Sequence, residues 1–117
     1  MMLDTINDSS FAQEVLEAPG LVLVNFWAPW CGLCRLIDPL LNKLRSDWGE
    51  SVKLVNVNAD SNLKLATHYR LTTLPTVILF QDGRPIFRLD HFEGKEDFLR
   101  HLSGAVNQVV PSRSLAP

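Results

Sequence analysis

The sequence predicts an α/β sandwich in which helices cover both faces of one sheet. Three observations carry this expectation. Apolar runs of strand length alternate with longer segments whose apolar residues recur at helical spacing. The last two strand-like runs are joined by a hairpin turn, so a βαβ unit is followed by ββα. The 117 residues suit a single domain, which we bound at 1–109, with a loose tail at 110–117.

Taken in order, Ser10 to Gln13 reads as a capping box opening a short helix, with Phe11, Val15 and Leu16 on its apolar face. Pro19-Gly20 stops it. Leu21 to Trp27 is a continuous apolar run interrupted by Asn25, as expected of a strand covered on both faces. After the loop Ala28-Pro29-Trp30, residues Leu36, Ile37, Leu40, Leu41 and Leu44 mark a helix reaching Trp48. Pro39 lies inside it and is expected to kink it. Val52 to Asn58 is the next strand, and Asn62 to Tyr69 a short helix with Leu63 and Ala66 inward. Thr76 to Phe80 is a buried strand, Gln81-Asp82-Gly83-Arg84 a hairpin turn, and Pro85 to Leu89 an edge strand. Phe98, Leu99, Leu102, Val106 and Val109 define a closing helix from Lys95.

Composition removes several function classes. With 11 basic and 13 acidic side chains the net charge is −2, which offers no field for nucleic acid. No apolar stretch approaches the ~18 residues of a membrane span. The start Met1-Met2-Leu3-Asp4 lacks a signal-peptide pattern, so a cytoplasmic location is expected.

Chemistry concentrates at Cys31-Gly32-Leu33-Cys34, where a strand ends and a helix begins. Unpaired N–H groups and the helix dipole favour an anion there, so the first thiol should ionise readily. At this separation the second sulfur can close a ring on the first or attack a mixed disulfide formed on it. Two other readings are weaker. A structural zinc site needs about four ligands, yet there are only two cysteines, and His68, His91 and His101 lack finger spacing. A structural disulfide would close only a tiny loop.

The run Phe26-Trp27-Ala28-Pro29-Trp30-Cys31-Gly32-Leu33-Cys34, with Pro39, Leu74-Pro75-Thr76 and Asp82-Gly83, closely resembles the thioredoxin family over about residues 3 to 108. The resemblance implies the thioredoxin fold, a central mixed five-stranded sheet in the order 1-3-2-4-5 sandwiched by four helices. It implies that Cys31 is the exposed nucleophile and Cys34 the buried resolving thiol. It also implies that Pro75 is a cis-proline facing the sulfurs, with Leu74 offering backbone hydrogen bonds to a substrate chain.

This chain departs from the family pattern around that site. Leu33 replaces the usual proline between the cysteines, Asn25 replaces a buried aspartate, Asn56 replaces its lysine companion, and His91 aligns with a groove glycine. The paired asparagine change is coherent, because removing one charge alone would strand the other at a cost of several kcal/mol. Two neutral amides can instead bond each other or water. Asp38, four residues after Cys34 on one helix face, is the candidate base for that thiol. Trp30 is read as an exposed platform for a bound chain, Trp27 and Trp48 as packing, and Gly32 as a site of close backbone approach.

The expected function is thiol–disulfide exchange by a monomeric protein-disulfide reductase. Its redox-active Cys31–Cys34 disulfide would serve without any other cofactor or metal. Its expected partners are disulfide-containing proteins and a thioredoxin-type reductase as electron donor. A redox-controlled binding module with little turnover, or a weak oxidase or isomerase, is the alternative.

Overall fold

The computed structural model describes residues 4–109, so the expected tail at 110–117 lies outside the described residues. The elements are β1 (Asp4–Ile6), a short helical segment (Ala12–Leu16), β2 (Leu21–Trp27), α1 (Gly32–Trp48), β3 (Val52–Asn58), α2 (Leu63–His68), β4 (Thr76–Gln81), β5 (Arg84–Leu89) and α3 (Gly94–Val109). The strands form one sheet in the order β1-β3-β2-β4-β5. β3 pairs in parallel with both β1 and β2, while β4 runs antiparallel to β2 and β5. The expected fold class is therefore the observed one.

Side-chain alternation explains the two faces. Leu21, Leu23, Leu54, Val77 and Leu79 point toward α1 and α3, where they meet Ile37, Leu41, Phe98 and Leu102. Val22, Val24, Phe26, Val55, Val57, Ile78 and Phe80 point the other way, onto Phe11, Val15 and Leu65. β2 is paired on both sides and buried on both faces, which is why it reads as an unbroken apolar run. Asn25 and Trp27 continue the α1-facing series beyond Leu23, and Asn56 continues it beyond Leu54. The sheet thus delivers these three side chains to one place, beside the start of α1.

Several local expectations are corrected. β1 is too short for periodicity to reveal; only the family resemblance required a fifth strand. Ser10 does not cap the first helical segment, which has no side-chain cap; it joins Asn7 in the turn just before it. Asn7 Oδ1 accepts from the backbone N–H of Ser9 and Ser10, both at 3.0 Å, and Ser10 Oγ accepts from Asn7 N–H at 3.0 Å. Leu63 is 68% exposed, and Leu65 is the buried residue of α2. That helix is capped from a distance, its Leu65 N–H donating to Asp8 Oδ1 at 3.2 Å. α1 runs from Gly32 to Trp48 with Pro39 inside it, the extent that the sequence pattern predicts.

The β4–β5 turn uses Asp82 and Gly83, both at positive φ, as the hairpin signal predicts. A Cβ on Gly83 would lie 2.3 Å from the Leu16 carbonyl oxygen, so the turn is packed directly on the end of the first helical segment. No helix of the described residues is long and apolar enough to cross a membrane.

Candidate active site

Cys31 and Cys34 stand at the head of α1, joined by a disulfide with their Cα atoms 5.3 Å apart. Cys31 is the residue preceding the first helical turn, and its sulfur accepts the Cys34 N–H at 3.0 Å. A side-chain acceptor at this position takes up one of the orphan N–H donors of the helix start. The same contact stabilises negative charge on Cys31 when the disulfide opens.

The loop before β4 closes over the sulfurs. Its Leu74–Pro75 peptide is cis, as the resemblance implies. The Leu74 carbonyl oxygen lies 3.5 Å from Cys31 Sγ. Thr76 Oγ1 donates to the Thr73 carbonyl at 2.7 Å, and Thr73 Oγ1 donates to the Asp90 carbonyl at 3.1 Å. The loop is thereby tied to the segment leaving β5, which carries exposed His91 one residue further on. Arg88 adds to the tie by donating to the carbonyls of Tyr69 and Arg70 and pairing with Asp90.

One expectation fails here. Cys31 is no more exposed than Cys34; each is 5% accessible. Ala28, Trp27 and Leu74 pack with the two cysteines in one small apolar cluster. What separates the two cysteines is their surroundings. Cys31 meets the Leu74 carbonyl, whereas Cys34 lines a cavity of about 80 Å³ behind the disulfide with Asn25, Trp27, Arg35, Asp38 and Asn56.

The amide pair behaves as the sequence suggests. Asn25 and Asn56 are directly opposed in the parallel β2–β3 register, and Asn25 Nδ2 donates to Asn56 Oδ1 at 2.9 Å. Asn25 Oδ1 and Trp27 Nε1 are buried without a hydrogen-bond partner among the described residues. Asp38, half-buried, reaches the same cavity from α1. Arg35 also lines it while donating to the Pro29 carbonyl at 2.8 Å.

Trp30 is 67% exposed and held by one hydrogen bond, its Nε1 donating to Asp60 Oδ2 at 2.7 Å. Asn58 sets Asp60 in place by accepting the N–H groups of Asp60 and Ser61. Gly32 and Leu33 are also exposed, so an apolar surface with Trp30 surrounds the covered sulfurs. The sequence reading missed Arg35 and Asp60. Arg35 adjoins Cys34 and was open to notice; nothing in the chain order links Asp60 to Trp30. Among the described residues no cluster of three potential metal ligands occurs.

Comparison with known proteins bears on this arrangement. The family model described as Thioredoxin matches residues 2–104. Thioredoxin 1 of Synechococcus elongatus is 42% identical over 81 residues, 69% of this chain and 76% of that protein. The thioredoxin of Mycobacterium tuberculosis is 37% identical over 101 residues, 86% of this chain and 87% of that protein. A bifunctional thioredoxin reductase/thioredoxin of Mycobacterium leprae is 37% identical over 101 residues, 86% of this chain but 22% of that longer protein.

Proposed function

The chain belongs to the thioredoxin family, and from that premise we propose how its residues divide the work of a protein-disulfide reductase. It is a thiol–disulfide oxidoreductase that acts through Cys31 and Cys34. In the reduced protein, the Cys31 thiolate attacks one sulfur of a target disulfide. A Cys31–target mixed disulfide forms and the other target sulfur leaves as a thiolate. Cys34 then attacks Cys31 and expels the second target sulfur. The target gains two electrons and the protein is left with the Cys31–Cys34 disulfide.

The observation that carries this division is the different company of the two sulfurs. Cys31 accepts a helix-start N–H and touches the Leu74–Pro75 loop, whereas Cys34 faces inward to the cavity. Trp30, Leu33, Leu74 and Pro75 receive the target chain. Exposed Trp30 and Leu33 are the apolar contacts that seat the target beside the nearly buried cysteines. Gly32 leaves room for close approach; a Cβ there would meet nothing within 4 Å.

A reductase needs its dithiol restored. The name of the Mycobacterium leprae relative joins a thioredoxin reductase to a thioredoxin, which supports an enzyme of that type as electron donor. The requirement for a reducing pool supports action in the cytoplasm. The pair needs no cofactor beyond its own sulfurs, and the chain acts as a monomer, which the blunted sheet edge at β5 supports.

Reduction of insulin by dithiothreitol, followed as turbidity with and without the protein, tests the reading. Acceleration that disappears in Cys31→Ser and in Cys34→Ser is expected. No acceleration by the parent protein would instead favour a binding module with little turnover.

A further inference from the structure

We propose that the cavity behind Cys34 is a proton-relay site in which the Asp38 carboxylate takes the Cys34 thiol proton through water anchored by Asn25 and Trp27. The proposal deepens the reductase reading and rests on it.

Four observations on different elements converge. Asn25 is 97% buried, being 3% accessible, and its Oδ1 lacks a hydrogen-bond partner among the described residues, while its Nδ2 is committed to Asn56. Trp27 Nε1, two residues along the same strand face, is likewise buried and unpartnered. Both residues line the cavity with Cys34. One orphan acceptor and one orphan donor beside one space are the partners a buried water requires. The cavity, at about 80 Å³, exceeds the roughly 10–15 Å³ that a single water needs.

The fourth observation supplies the base. β2 and β3 present only Asn25, Trp27 and Asn56 to this space, none of which can hold a proton taken from a thiol. α1 presents Cys34, Arg35 and Asp38. Arg35 has only N–H donors and its guanidinium is fastened to the Pro29 carbonyl. Asp38 is therefore the one carboxylate among the lining residues, one helical turn from Cys34 on the same face. A buried thiolate forms poorly unless a group accepts its proton, and Asp38 is the lining group able to do so.

The step balances as follows. The Cys34 S–H proton passes through water to the Asp38 carboxylate as Cys34 sulfur attacks Cys31. The Cys31–Cys34 bond forms, the Cys31–target bond breaks, and the target thiolate takes a proton from solvent. Asp38 then loses its proton to solvent. During regeneration the flow reverses, and protonated Asp38 returns a proton to the departing Cys34 thiolate.

Stopped-flow reaction of the reduced protein with 5,5′-dithiobis(2-nitrobenzoate) separates the two steps. Cys31 attack releases the first thiolate and Cys34 resolution the second. Asp38→Asn is expected to leave the first phase intact and to slow the second near neutral pH by about a hundredfold, the low end of general-base effects. The second phase should then climb with pH as direct thiol ionisation takes over. Asp38→Glu, which keeps a carboxylate on the same helix face, should restore most of the neutral-pH rate. An unchanged second phase, or one slowed equally at every pH, overturns the relay. Absence of any insulin reduction by the parent protein overturns the reductase reading instead, so the two failures are distinguishable.

Discussion

Asn25 and Asn56 face one another across the central parallel strand pair and are joined by a single buried hydrogen bond of 2.9 Å. A neutral bridge here holds β2 and β3 in register at the end of the sheet that carries the sulfurs, with no buried charge to compensate. Its contribution is measurable. Asn56→Ala removes the acceptor and strands Asn25 Nδ2, which should destabilise the fold by about 1–3 kcal/mol. Asn25→Leu with Asn56→Leu removes both partners at similar volume and should recover most of that loss. Urea unfolding of the three proteins decides. Equal loss in the single and double variants would show that the amides pack but do not bridge.

Leu33 bears on the redox balance. A leucine at the second position of α1 retains an N–H that proline would lack, and N–H groups at a helix start stabilise a thiolate. The reduced form is favoured, so we expect a reduction potential between about −270 and −200 mV, less negative than the usual thioredoxin value. Leu33→Pro should lower it. A glutathione titration giving a parent value below about −270 mV contradicts this account.

His91 is exposed one residue beyond Asp90, whose carbonyl holds Thr73 of the cis-proline loop. Our expectation is that an imidazole at that rim narrows the choice of target. His91→Gly should therefore raise the rate with generic disulfides and with a standard thioredoxin reductase. Identical steady-state rates for parent and variant with both substrates would leave His91 without a role in selection.

Asp97 anchors the start of α3 by accepting the Glu93 N–H at 2.8 Å. That backbone hydrogen bond, aided by the positive charges of His101 and Arg100, holds its carboxyl below the usual aspartate range, against a smaller opposing effect of desolvation. Because the folded-state value is the lower one, the stabilisation is complete above the unfolded value of about 3.9 and fades as pH falls through the folded value. Asp97→Asn should melt lower than the parent at neutral pH, and the gap should close in acid. Melting temperatures followed by circular dichroism from neutral to acidic pH check this; a gap constant with pH would assign the effect to shape alone.

The legible parts of the molecule were those written in local pattern. β2, β3 and the β4–β5 turn announce themselves by apolar runs and by Asp82-Gly83, and their observed limits follow those signals closely. β1, with three residues and one buried side chain, carries no period to detect. Ser10 satisfies the capping pattern, yet its hydroxyl is engaged with Asn7 in the preceding turn, a pairing that the pattern alone does not reveal. The Cys-Gly-Leu-Cys segment and its neighbours located the site. The contact of Cys31 with Leu74, 43 residues away, left no local signal of how buried Cys31 is. The Trp30–Asp60 bond was hidden for the same reason, since pairings between distant loops leave no mark in either segment.

The outer strand β5 carries Arg84, Pro85 and Arg88, and its register against β4 shifts at Leu79–Phe80. Proline, positive charge and an irregular ladder are devices that stop a stray strand from zipping onto a sheet. For a protein proposed to act on disulfide-bonded chains, the consequence is kinetic. A client cannot add itself to this flank as a sixth strand and so become a long-lived captive. On the proposed reading it would be held only at the sulfur end, by the Leu74 backbone, nearby side chains and one covalent bond, and cutting that bond should let it go quickly.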